Sequence, residues 1–190
     1  MNQRRTYERI NRTEILPTQQ GFKLPFDKLI NSVKIFQGYK SPWSHDSFLV
    51  GENKRLGDYR YSIDFALPYE TEVLAPSTGT VYGLEDSTED FYEGLDLETG
   101  MNTPANLIVL KHNTGVYSVL YHLKKDSFKV KEKDKVYARQ PIALTGRSGW
   151  VSKTPHLHFA VFQFQEGGIQ TFPVRFDNYS GELEHNSLQS

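Results

Sequence analysis

From Val33 onward the chain is a succession of short apolar runs broken by Gly, Pro, Asn and Asp at spacings of roughly ten residues. The runs are Tyr61–Phe65, Glu72–Leu74, Gly79–Tyr82, Leu107–Lys111, Gly115–His122, Pro141–Leu144 and Leu157–Phe164. Each is too short for a helix and none continues into an amphipathic period of 3.6, so many short strands joined by tight turns are expected. The aromatic content points the same way: 11 Tyr and 12 Phe suit pleated, half-buried strands. The expected fold class is all-β, built of antiparallel sheets.

The 190 residues suffice for one catalytic-sized domain rather than two. We expect an irregular N-terminal lead-in over 1–32, because Pro17, Gly21 and Pro25 interrupt any periodicity. The main domain then covers 33–176 and a tail 177–190. The segments GTVYGL and KDKVYARQPIALTG resemble the two halves of a barrel-sandwich motif. Residues 83–106 form a surface insertion, with seven acidic residues and no basic one between Glu85 and Glu98; it reads as a solvated loop or the lip of a groove. Six lysines between Lys124 and Lys135 suit an exposed edge strand blunted by charge.

Composition excludes several functions. A formal net charge of -1 offers no basic field for nucleic acid. No apolar run reaches the length of a membrane span, and the basic residues of the N-terminal segment are not followed by the apolar core of an export signal. With no cysteine, thiolate ligands and nucleophiles are absent, which leaves His, Asp and Glu for metal or acid–base chemistry.

Three stretches carry such residues. In Pro155-His156-Leu157-His158-Phe159, strand alternation puts His156 and His158 on one face while Leu157 and Phe159 point to the core. Two imidazoles then share a small volume, as a metal site needs, although a surface strand bearing two histidines would read the same way. His122 ends the alternating strand Tyr117–Leu123. Asp64 lies within Tyr61–Phe65, where a carboxylate must be paired, hydrogen-bonded or metal-bound.

Taken in order, YSIDFALPYETEVLAPSTGTVYGL, VLKHNTGVYSVLYHL and TGRSGWVSKTPHLHF resemble the three signature regions of the lysostaphin/LytM metallopeptidases, metallopeptidase family 23, over about residues 36–164. The resemblance implies a duplicated hybrid motif fold and a zinc metalloendopeptidase that hydrolyses peptide bonds in peptidoglycan cross-bridges or stem peptides through a metal-activated water. It assigns Asp64 and His158 as zinc ligands, and His122 and His156 as catalytic groups. One position departs from the pattern. Relatives carry the remaining histidine ligand four residues before the aspartate, where this chain has Arg60, which cannot bind a cation. His45, in Ser44-His45, is the substitute; the nineteen residues from it to Asp64 include a polar stretch, GENKRLGDYR, read as a looped-out insertion. The alternative is a catalytically inactive relative that binds cell wall or regulates a partner hydrolase. A lipoyl carrier is excluded by the lack of a lysine in a suitable hairpin. Tyr69–Glu72 replaces the glycine-containing turn of relatives.

The expected partner is peptidoglycan peptide, without nucleic acid or membrane span, bound by a monomer. The substrate implies an extracytoplasmic (periplasmic or secreted) location, although no signal peptide is visible. His112 is read as structural, His185 as exposed, and Gly146, Ser148 and Gly149 as shapers of backbone.

Overall fold

A computed structural model describes residues 7–27, 34–41, 44–90, 104–151, 154–181 and 183. The strands are β1 (Tyr7–Ile10), β2 (Gln19–Phe22), β3 (Ile35–Gln37), β4 (Ser47–Val50), β5 (Arg55–Asp58), β6 (Ile63–Ala66), β7 (Glu72–Leu74), β8 (Gly79–Glu85), β9 (Leu107–His112), β10 (Tyr117–Tyr121), β11 (Lys135–Val136), β12 (Pro141–Leu144), β13 (His156–Gln165), β14 (Gly168–Phe172) and β15 (Val174–Phe176). Among the described residues there is no helix, and the fold is all-β.

The main sheet runs β1-β4-β5-β14-β13-β10-β9-β8-β11. Strand β13 is its spine. One edge pairs with β10 along Phe162 to His158, while the other is shared, β6 taking His156–Phe159 and β14 taking Val161–Gln165. Strand β3 then flanks β6. Alternation decides burial: Leu157, Phe159 and Val161 are buried with Ile63, Phe65, Leu120, Ile108 and Leu110 in one core, so the intervening side chains face the opposite side. Most pairings are antiparallel, but β5–β14 and β15–β2 are parallel.

Two expectations are corrected. The lead-in is not wholly irregular: β2 pairs with β15, and Phe22, Leu24 and Phe26 are buried in the main core. Past β2 the chain bends at Pro25 and Phe26 without strand pairing, and the Leu24 amide donates instead to the Asn178 side chain. The polar stretch 51–60 is not looped out either. It supplies the turn and second strand of the β4–β5 hairpin, which extends the main sheet. A polar strand suits that place because it lies toward the sheet edge, where one face meets water.

The lysine-rich segment contributes only β11 at the edge, and Lys124, Lys125 and Lys129 pair with Glu70, Glu89 and Glu72. At the Tyr69–Glu72 turn, Glu70 itself adopts a left-handed conformation (φ 63°). Residues 91–103 of the acidic insertion and His185 lie outside the described residues.

Candidate metal centre

Strand register brings the site together. His158 on β13 faces Asp64 on β6 across one side and Tyr121 on β10 across the other, and His122 follows directly from β10. His45 arrives by a different route. β3 lies beside β6, with Gln37 opposite Asp64, and the chain after it folds back on itself. Gln37 donates to the Ser44 hydroxyl (2.9 Å), and the His45 Nδ1–H donates to the Gly38 carbonyl (3.0 Å).

The outcome is a compact triad. One ligand atom from each of His45, Asp64 and His158 lies within 4.8 Å of the others. Asp64 Oδ1 sits 2.8 Å from His158 Nδ1 and 3.3 Å from His45 Nε2, while Oδ2 is 3.8 Å from His156 Nε2. The 3.3 Å between Asp64 Oδ1 and His45 Nε2 matches the spacing of neighbouring ligands around a tetrahedral ion bound at about 2.0–2.1 Å, while the 2.8 Å to His158 is a hydrogen-bond distance. His45 is fully buried, and its Nε2 has no hydrogen-bond partner. With Nδ1–H committed to a carbonyl, Nε2 turns a lone pair toward a carboxylate oxygen. That contact is repulsive unless a proton or a metal ion lies between the two, so the donor set fits a divalent cation.

Electrostatics within the cluster are coupled. Burial alone would raise the Asp64 carboxyl, but His45, His156 and His158 outweigh it and hold the group well below the usual carboxylate range. Burial lowers His158 against the opposing pull of Asp64. Burial, followed by the imidazoles of His156 and His158, takes His122 down to about 3.

His122 and His156 stand side by side, ring centroids 4.6 Å apart. Each donates Nδ1–H to a backbone carbonyl, His122 to Ser148 (2.9 Å) and His156 to Thr154 (2.9 Å), which leaves each Nε2 with its lone pair. His122 is held in the left-handed region (φ 64°), with its carbonyl accepting from the Gly146 amide at 2.7 Å. Gly146 permits this approach, because a Cβ there would lie 2.4 Å from the Lys124 nitrogen. Ser148 is fixed in turn: its hydroxyl accepts from Asn106 N and donates to Leu123 O.

Arg60 takes no part in this cluster. It is buried against Asp58, donating through Nε and Nη2 at 3.0 Å each, and through Nη1 to the Arg12 carbonyl. Asp58 also accepts from Ser47, two residues after His45. His112 is enclosed elsewhere, with its ring nitrogens on Thr78 O and Ser118 Oγ. The orienting roles of Gly38, Ser148 and Thr154 had no sequence signal for Gly38 and Thr154, since backbone carbonyls do the work there. Phe36, packed 5.6 Å from the His156 ring, was also missed. The acidic insertion leaves the fold at the rim of this site, where Asp90 accepts from Tyr69 Oη and Arg147 N.

Residues 58–170, more than half of the chain, match Peptidase family M23. The chain belongs to Peptidase family M23. An uncharacterized metalloprotease of Buchnera aphidicola is 33% identical over 100 residues, which is 53% of this chain and 22% of the relative, so the chain spans about a fifth of that relative's length. The fold is similar to the catalytic domain of the antimicrobial peptidase lysostaphin from Staphylococcus simulans (24% identity, TM-score 0.51, 76% of this chain and 92% of that one). It is also similar to the catalytic domain of the prophage-encoded M23 protein EnpA from Enterococcus faecalis (23% identity, TM-score 0.51, 80% and 94%). This M23 chain therefore shares the fold of a metallopeptidase family and brings together a His/Asp cluster able to hold a metal ion.

Proposed function

We propose that this M23 chain is a zinc metalloendopeptidase that hydrolyses peptide bonds in the cross-bridges or stem peptides of peptidoglycan. The observation that carries the reading is the buried, unpartnered Nε2 of His45 facing Asp64 beside His158, a donor set of two imidazoles and one carboxylate. Three protein ligands leave one position for water or substrate, the pattern of catalytic rather than structural zinc. When bound there, zinc supplies Lewis acidity, polarising the scissile carbonyl and making water acidic enough to react at neutral pH.

The remaining steps belong to the protein. His45, Asp64 and His158 would hold the ion. His122, with Nδ1–H held by Ser148 O and Nε2 unprotonated beside His156, is placed to accept a proton from the attacking water. His122 would then pass that proton to the departing amine, while His156, whose Nε2 also faces the cluster, would stabilise charge on the carbonyl oxygen once protonated there as an imidazolium. The backbone carbonyls of Ser148 and Thr154 hold the Nδ1–H of each ring and so turn both Nε2 atoms toward the cluster. The unused Arg60 position, which motivated the reading of an inactive relative, has a structural occupation instead.

Two further readings follow. The catalytic unit extends from β1 to Tyr179 rather than from 33 to 176, since β2 and Asn178 are bonded into it. A peptidoglycan substrate places the protein outside the cytoplasm. The test is digestion of purified sacculi of defined bridge type by zinc-loaded protein, with mass analysis of the fragments. New amino termini in bridge or stem are expected; a protein carrying one zinc per chain that releases nothing would overturn the activity.

A further inference from the structure

The side of the sheet that carries the metal cluster continues well past it. Along β13, His158, Ala160, Phe162 and Phe164 share one face, so the strand carries this surface about 20 Å beyond His158 at ~3.3 Å per residue. Phe162 lies opposite Tyr117 on β10, and the two rings stack with centroids 5.6 Å apart. Phe164 meets both Tyr117 (4.9 Å) and Tyr82 (5.7 Å). These residues surround a small apolar cluster separate from the main core, and its outer members remain open, Tyr82 at 54% and Phe164 at 52% exposure.

At the far end of this run lies a cavity of about 410 Å³, where the β4–β5 hairpin meets the β13–β14 turn. Its walls include Val50, Tyr59, Phe164 and Ile169, and Arg55 supplies its cation. Ile169 lies opposite Phe164 and Gly57 opposite Ile169, so the slot opens on the same face as the metal cluster. A volume of this size suits one or two residues of a peptide. Arg55 is exposed and has no hydrogen bond or ion pair within the described residues, whereas its neighbour Lys54 pairs with Glu8. An unpaired guanidinium at the mouth of an apolar slot is complementary to a carboxylate, which it can hold through two parallel N–H bonds.

We propose that this slot is a distal substrate subsite, which takes a free carboxylate of the same peptide whose scissile bond lies at the metal centre, with the exposed ring of Phe164 as its near wall. The inference rests on the peptidase reading and deepens it: the substrate is an anionic peptide that spans about six extended residues from the cleavage point to its carboxylate. The inserted hairpin, which brings Val50, Arg55 and Tyr59, thereby acquires a role in specificity.

The test compares cross-linked stem peptides prepared from sacculi, with terminal carboxylates free or amidated, on zinc-loaded wild type, Arg55→Gln and Phe164→Ala. Both substituted side chains are exposed, and unchanged Tm checks that folding is intact. For wild type, amidation should raise KM about tenfold with kcat unchanged. Arg55→Gln should show the raised KM for both peptides, and Phe164→Ala should weaken both equally. Calorimetric binding of the two peptides to zinc-loaded His156→Gln, which separates binding from turnover, should show the same tenfold difference. If Arg55→Gln still discriminates free acid from amide as wild type does, the subsite is refuted while the peptidase reading stands. If wild type neither binds nor cleaves either peptide, the peptidase reading itself fails and the subsite falls with it.

Discussion

Replacing His45 with alanine removes one of the three side chains gathered around the proposed metal position and leaves the other two in place. A four-ligand structural zinc site binds with about 10–16 kcal/mol at neutral pH, so a single protein ligand carries on the order of 3–4 kcal/mol. At 1.4 kcal/mol per tenfold, the loss corresponds to two to three orders of magnitude in zinc affinity. The vacated space is buried and polar, because Gly38 O loses its donor and Asp64 Oδ1 its neighbour; a water entering there would restore part of the coordination. The expected net effect is about a hundredfold. Competition with a chromophoric chelator gives the affinity directly, with far-ultraviolet dichroism to verify the strands. Adding Arg60→His to His45→Ala should not rescue binding, since side chain 60 is directed to Asp58 and not to Asp64. Zinc affinity within threefold of wild type for His45→Ala, or full recovery by histidine at 60, would refute the assignment.

Other consequences can be measured separately. His122→Gln and His156→Gln should each retain zinc but lower kcat about 10²–10⁴-fold, as expected of positioned proton-transfer groups, with metal content and turnover determined on the same sample. Asp58→Ala leaves the buried Arg60 guanidinium with only the longer carboxylate contact to Glu14 (3.6 Å), which should cost about 2–4 kcal/mol and lower Tm by about 5–10 °C, as read by calorimetry. Acid should destabilise the metal-free protein. The folded state depresses His122 to about 3 and also lowers His158 and His112, so the unfolded chain takes up protons first as pH falls below about 6.5. Stability is thus complete above that pH and is lost toward pH 3, by an amount of order a few kcal/mol. Asp64, depressed in the folded state, adds to the loss at the acid end. Urea midpoints between pH 7.5 and 4 measure the slope, and a flat profile would contradict the buried neutral imidazoles.

Local periodicity conveyed those parts of the fold in which one face of a strand is buried. Leu157 and Phe159 alternate with His156 and His158, so the facing of both imidazoles could be read before any pairing was known. Asp64 was legible because a carboxylate between Ile63 and Phe65 must have a partner. The β4–β5 hairpin was not legible, since its residues are polar and its parallel partner β14 lies more than a hundred positions away in sequence. Phe22, Leu24 and Phe26 were hidden for a related reason: Pro25 and Gly21 mark a loop locally, while burial comes from β15 at the other end of the chain. The tautomer-setting carbonyls of Gly38 and Thr154 leave no trace in residue identity at all. His45 lay between these cases, visible as a candidate by its chemistry but placed only by the return of the chain over β3.

Zinc K-edge absorption spectroscopy on protein purified without chelators, with metal content determined on the same preparation, addresses the shared ion most directly. The account predicts about one zinc per chain, with two imidazole nitrogens near 2.0–2.1 Å and carboxylate or water oxygen at about 2.0–2.2 Å. A protein that takes up no zinc even when it is supplied, or whose bound zinc shows a single imidazole, would contradict it.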